Sequence, residues 1–270
     1  MVRTNRSARM TGKHALFSFD NTDILAQQLR TYLVRRQDES LAHHSSFRVA
    51  VSGGSLPKTL AKALLPPGND VHLTKWDVFF ADERCVPLEH PDSNYRLLND
   101  EFLSKIPPEA GQPTVHPIDE ETVKEDDPQE VAGLYQEELT RVFAAKETVK
   151  LPTFDVMMLG CGPDGHTCSL VPGHDLLREN VAWVAAETNS PKPPPKRITL
   201  TLPVVVHSTS IIFVVAGEGK RDILKKIFDT DEGSSLPSGL VNEGGGEKVT
   251  WFADATAVVG VLFPKQQGNL

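Results

Sequence analysis

His166 is the residue of this chain best placed to move a proton. It stands in Gly160-Cys161-Gly162-Pro163-Asp164-Gly165-His166-Thr167, directly after the apolar run 154–159. Glycines permit close backbone approach. A histidine at the end of a strand can be held rigidly and still meet a ligand. Neutral imidazole is a base near neutral pH, and Asp164, two residues earlier, is at hand to orient it. A lone histidine is more often a hydrogen-bonded surface or core residue, but the flanking Gly165, Thr167 and Asp164 point to catalysis. The segment also matches G-x-G-x-x-G literally, with Glu187 where a ribose-binding acid would lie. Pro172-Gly173 interrupts the long helix that a pyrophosphate needs, so a dinucleotide site is not expected. Cys161, His166, Cys168 and His174 match no zinc spacing. No metal, no dinucleotide and no Cys168 nucleophile are expected.

Two further clusters suit an anionic ligand. Ser52-Gly53-Gly54-Ser55 falls between a strand and a helix. Amides at a helix N-terminus bind phosphate or carboxylate; the alternative is a tight turn with Ser55 as an N-cap. The segment is neither a P-loop nor a nucleophile elbow, since Lys58 lacks the Walker spacing and Pro57 replaces the second glycine of G-x-S-x-G. Asp82-Glu83-Arg84 follows an apolar run and offers acids and a cation for acid–base work or clamping; a surface ion pair is the bland alternative. Lys196-Arg197 closes a proline-rich arm, and Lys220 opens a helix. Arginine offers a fork to phosphate and lysine a point charge. Each taken alone also fits a solvated surface cation.

The elements that must position these residues alternate along the chain. Helical periodicity covers 23–36, 56–65, 93–103, 129–143 and 220–228, and strands are expected at 48–51, 76–81, 154–159, 181–187, 197–202, 211–216 and 249–253. Asp254 is expected to cap a final helix. Segments 106–127, 190–196 and 229–247 read as loops, with the arm 190–196 extended and stiff because of Pro191, Pro193, Pro194 and Pro195. Such alternation predicts an α/β single domain: a doubly wound, mostly parallel sheet with helices on both faces. Ligands then bind beyond the carboxyl ends of the strands. The domain is expected over 15–264, after a flexible basic tail at 1–14.

Composition excludes several classes. The 270 residues carry a net charge of -8, with 39% hydrophobic and 24% charged residues, as in an ordinary globular protein. An acidic balance disfavours nucleic acid and anionic membrane as partners. No apolar run is long enough to span a bilayer. Three cysteines are too few for a disulfide framework. A cytoplasmic protein, monomeric or weakly dimeric, is expected.

Together these residues resemble the 6-phosphogluconolactonase family, a branch related to the glucosamine-6-phosphate deaminases. The similarity rests on Val51-Ser52-Gly53-Gly54-Ser55, Phe80-Ala81-Asp82-Glu83-Arg84-Cys85-Val86-Pro87 and Asp92-Ser93-Asn94-Tyr95. It continues through 159–170 with Pro172-Gly173, the arm 193–202 and Gly219-Lys220. The resemblance implies the deaminase-like fold and hydrolysis of 6-phospho-D-glucono-1,5-lactone to 6-phospho-D-gluconate, in the oxidative pentose phosphate pathway, without metal or organic cofactor. Two positions depart from the pattern. Cys168 replaces a residue that is often alanine. Val171 stands where the deaminases carry a glutamate before Pro-Gly, which favours the lactonase branch.

The expected mechanism is plain ester hydrolysis. The phosphate rests on Ser52, Gly53, Gly54 and Ser55, with Arg84, Arg197 and Lys220 as cationic partners. His166 takes a proton from the attacking water, Asp164 or Asp82 orients the imidazole or a sugar hydroxyl, and amides around Gly162 steady the oxyanion. The alternatives are an isomerase or deaminase of the same fold, and a sugar-phosphate-binding protein without catalysis.

Overall fold

The computed structural model describes residues 14–144 and 149–267. Apart from His14, the basic segment 1–14 lies outside the described residues. Among the described residues, ten strands form two sheets: β1 (His14–Phe19), β2 (Phe47–Val51), β3 (Trp76–Phe80), β4 (Asp82–Arg84), β5 (Thr114–His116), β6 (Val156–Leu159), β7 (Val184–Glu187), β8 (Arg197–Leu200), β9 (Ser210–Val215) and β10 (Val249–Asp254). The helices are α1 (Thr22–Leu41), α2 (Leu56–Leu64), α3 (Asn94–Glu101), α4 (Glu120–Val123), α5 (Pro128–Phe143), α6 (Leu202–His207), α7 (Arg221–Asp229) and α8 (Pro237–Gly245).

The larger sheet has the order β1-β10-β9-β6-β2-β3-β5, and all its pairs are parallel. Strands covered on both faces read as continuous apolar runs. That is why Val-Met-Met-Leu of β6 and Ser-Ile-Ile-Phe-Val-Val of β9 are buried throughout. One continuous core runs from Leu16 to Phe263, with the Phe213 and Trp251 rings stacked at 3.9 Å between neighbouring strands. From β2 the chain moves outward through β3 and β5, then returns to the other side of β2 as β6. Adjacent strands that lead their connections in opposite directions open a crevice at their carboxyl ends. The loops after β2 and β6 therefore meet there.

β4, β8 and β7 form a separate antiparallel sheet. This corrects the placement of 181–187 and 197–202 in the parallel sheet. A parallel return needs a crossover of about a dozen residues or more, and the arm between β7 and β8 is shorter than that. The arm also doubles back instead of running extended: the Ser190 amide donates to Pro195 O at 3.0 Å.

Three other expectations change. Segment 106–127 contains β5 at the sheet edge and α4. Segment 229–247 contains α8, where glycine serves close packing: a Cβ on Gly239 would lie 2.0 Å from Gly233 O. Asp254 caps a turn and no final helix, accepting from the amides of Gly217 at 3.1 Å and Ala257 at 2.8 Å.

Candidate active site

A cavity of about 220 Å³ opens at the switch point. Its walls include Ser52, Gly53, Gly54 and Ser55 after β2, Asp82 and Arg84 of β4, Gly162 and His166 after β6, Arg197 of β8, and Lys220 before α7. Every residue of the expected mechanism except Asp164 lines it, and Asp164 touches it through His166; Glu83 and Lys196 do not line it.

The Gly160–Thr167 loop is folded by its own hydrogen bonds. Gly162 N donates to His166 O at 2.8 Å, Gly165 N to Gly162 O at 3.0 Å, and Thr167 Oγ1 to Gly160 O at 2.9 Å. Gly165 has φ of +84°, a conformation that favours glycine. The His166 ring lies against Gly162, where a Cβ would come within 1.9 Å of Nδ1. The Gly162 amide is donated within the loop, and the missing Cβ leaves room for the ring.

His166 Nδ1 and Asp164 Oδ1 are 2.5 Å apart. The pairing assigns the proton to Nδ1 and leaves Nε2, which has no hydrogen bond among the described residues, as the basic atom. Partial burial raises the Asp164 carboxyl, but the His166 hydrogen bond and charge, with Lys192, outweigh it and hold the group at about 2. Asp164 is thus the carboxylate hydrogen-bonded to the imidazole. Asp82 accepts instead from Ser169 Oγ at 2.9 Å.

Strand alternation sorts the Asp82-Glu83-Arg84 triplet. Asp82 and Arg84 face the cavity. Glu83 points away and is fully buried, where it accepts from the Arg84, Asn94 and Tyr95 amides, each at 2.7 Å. The last two are free amides at the start of α3, where a carboxylate is favoured. Glu83 is therefore a helix anchor, neither an acid–base group nor a surface ion pair. Alternation likewise turns Lys196 away from Arg197; its ammonium pairs with Asp126 Oδ2 at 2.5 Å.

The cationic wall is compact. Arg84 and Arg197 are cross-strand partners. Arg84 Nη1 donates to Asp92 O at 2.7 Å, while its Nε is buried without a partner among the described residues. Arg197 is 4% exposed; its Nε and Nη2 hold the arm carbonyls of Pro194, Lys192 and Pro193 at 2.9, 2.8 and 3.1 Å. Burial, then the charge of Arg84, lowers its pKa. Lys220 Nζ donates to Cys161 O at 2.7 Å, leaving further N–H donors for a ligand. On the facing turn, Gly54 has φ of +72° and the Ser55 side chain makes no capping bond. The amides of Gly53, Gly54 and Ser55 donate to no group among the described residues. Ser55 is the N-cap residue by position only.

Burial pushes the Cys161 thiol up to about 11 and the Cys85 thiol up to about 12. Burial and then the Asp82 charge push up Cys168. None is poised as a thiolate nucleophile. His174 is paired with Glu187 at 2.6 Å. No group of three or more His, Cys, Asp or Glu side chains able to hold a metal occurs among the described residues.

Residues 20–251 match the family model described as glucosamine-6-phosphate isomerases/6-phosphogluconolactonase. The chain belongs to this family. It is 46% identical over 246 residues to a probable 6-phosphogluconolactonase of Schizosaccharomyces pombe, covering 90% of this chain and 94% of that one. Its fold matches 6-phosphogluconolactonase from Trypanosoma cruzi with a TM-score of 0.77 at 26% identity, covering 94% and 98% of the two chains. A monomeric glucosamine-6-phosphate deaminase shares the fold, with a TM-score of 0.65 at 16% identity over 90% and 98%. Among the described residues, no helix is long and apolar enough to cross a membrane.

Within this family site, two side chains escaped sequence reasoning. Lys192 lies in the arm, with Nζ 3.0 Å from His166 Nδ1 and 3.5 Å from Asp164 Oδ1. Its place among prolines hid it, because only the fold of the arm brings it back to the loop. Asn94 hydrogen-bonds Asp82 O at 2.8 Å, and a Cβ on Gly53 would lie 2.0 Å from its Oδ1. The Asp92-Ser93-Asn94-Tyr95 stretch was the available signal.

Proposed function

We propose that this chain hydrolyses 6-phospho-D-glucono-1,5-lactone to 6-phospho-D-gluconate. The observation that carries the reading is the pairing of a base with an anion cradle: His166, held at Nδ1 by Asp164 and open at Nε2, faces the same cavity as Arg84, Arg197, Lys220 and the free amides of Gly53, Gly54 and Ser55. The family assignment and the relatives named 6-phosphogluconolactonase support it.

The substrate phosphate occupies the cradle, and Asp82, fixed by Ser169, faces a sugar hydroxyl. This places the C1 ester carbonyl near His166. Nε2 removes a proton from water as its oxygen bonds to C1 and the carbonyl oxygen takes the negative charge. The tetrahedral intermediate collapses, the bond from C1 to the ring oxygen breaks, and imidazolium returns its proton to that oxygen. Asp164 stabilises the transient imidazolium and fixes the ring. Val171, preceding Pro172-Gly173, supplies no carboxylate for deaminase chemistry.

A coupled assay tests the reading. Glucose-6-phosphate dehydrogenase generates the lactone, and 6-phosphogluconate formation is followed with and without this protein. Acceleration above spontaneous opening is expected. Ammonia release from glucosamine 6-phosphate without lactone hydrolysis would overturn the reading in favour of a deaminase. Binding of the phosphosugar without turnover would overturn it in favour of a non-catalytic protein.

A further inference from the structure

We propose that Lys192 is a positioning residue whose ammonium, held at the Nδ1 edge of His166, keeps the imidazole uncharged and ready to accept water's proton. The inference rests on the lactonase reading and deepens it.

An aspartate against an imidazole favours the charged ring. A base must start uncharged, so the Asp164–His166 pair by itself is biased toward the wrong state at neutral pH. Lys192 opposes that bias. Its Nζ lies 3.0 Å from Nδ1, and once Nδ1–H is donated to Asp164 no lone pair remains there. The ammonium therefore meets the ring as a like charge and directs its own N–H toward Asp164 Oδ1 at 3.5 Å. Aspartate retains its orienting role, while the lysine offsets its effect on the ring's charge.

The arm makes this placement durable. Arg197 clamps the carbonyls of Lys192, Pro193 and Pro194, and the Lys192 amide donates to Ser190 Oγ at 3.4 Å. The same guanidinium lines the anion cradle. The groups facing His166 are thus Asp164 from its own loop, Lys192 from the arm, Asp82 and Arg84 from β4, Arg197 from β8 and Lys220 before α7. The neighbouring Cys161 and Cys168 thiols stay protonated. Of the cations among the described residues, only Lys192 lies within hydrogen-bond distance of the ring itself.

The test compares the wild type with K192M and K192R, through the acid limb of the kcat/KM profile and through the His166 C2–H NMR titration without substrate. H166Q identifies that resonance. A charge within about 4–6 Å moves a pKa by ~1–3 units. The Lys192 side chain is 42% exposed, so screening lowers the expectation to roughly 0.5–1 unit upward in K192M. K192R is expected to stay near wild type. Identical titrations in wild type and K192M, or K192R behaving as K192M, would overturn the proposal. So would a raised KM in K192M with an unmoved titration, which would make Lys192 a substrate contact. Failure of the wild type to hydrolyse the lactone would sink the functional reading separately, and the NMR titration would still decide the role of Lys192.

Discussion

Arg84 and Arg197 stand directly opposite each other across the β4–β8 pair. Like charges so placed destabilise a sheet, and here one of them is almost wholly buried. An anion bridging the pair would balance it, as the proposed phosphate site requires. Inorganic phosphate is therefore expected to raise the melting temperature of the wild type in a concentration-dependent way. R84A should lose most of that rise and show a KM roughly 10–100-fold higher, the loss of a charged hydrogen bond of ~1.5–3 kcal/mol. An equal phosphate effect in R84A, read by thermal unfolding, would place the anion elsewhere.

H166A is expected to lower turnover by ~10²–10⁴, the usual contribution of a general base. Asp164, its pKa lowered from 3.8 to about 2, supports the ring at all pH values above that range and releases it only as pH falls through about 2. Asp164 therefore contributes no acid limb above pH 4; the rate is expected to fall with acid as the His166 imidazole protonates, and the limb should persist in E83Q, which removes the buried Glu83 carboxyl. Steady-state rates between pH 5 and 8 check this; a flat profile defeats the assignment.

Gly162 is a steric requirement. A methyl group there would sit 1.9–2.0 Å from Nδ1 and Cε1 of His166. G162A should fold, because the loop's backbone bonds do not need the missing Cβ, yet turnover should fall toward that of H166A. Near-wild-type kcat in G162A, with unchanged circular dichroism, would show that the ring does not need its observed position.

Glu83 links pH to stability. Burial raises its carboxyl to about 7, against the pull of the Asn94, Arg84 and Tyr95 amides. A raised carboxyl contributes fully below its unfolded value of about 4.5 and loses that contribution as pH rises through about 7. This contribution should therefore decline between about pH 4.5 and 7 in the wild type, as read by denaturant unfolding. E83Q should remove that decline while lowering stability by ~1–3 kcal/mol, since its amide cannot accept every donor. A decline of equal size in E83Q would assign it to another group.

The local part of the site was legible from sequence. The alternation around β2, β3 and β6 predicted parallel strands, and the glycines and histidine at their ends predicted a loop site, because periodicity and backbone permissiveness are short-range properties. Glu83 shows the limit. Its neighbours suggested chemistry, but alternation within a three-residue strand sends it into the core. The second sheet was missed for a related reason: β7 and β8 look like any apolar strands until the shortness of their arm is weighed.

Sequence alone thus determined that His166, Asp164 and the Ser52–Ser55 turn occupy strand ends, since each lies within a few residues of the element that holds it. Tertiary structure alone decided that Asp82 is engaged by Ser169 and not by the imidazole, that Arg84 faces Arg197, and that Lys192 returns to the ring. Those pairings depend on the β4–β8 register and on the order in which β2 and β6 diverge. Such contacts join residues far apart in the chain, and no local pattern encodes them.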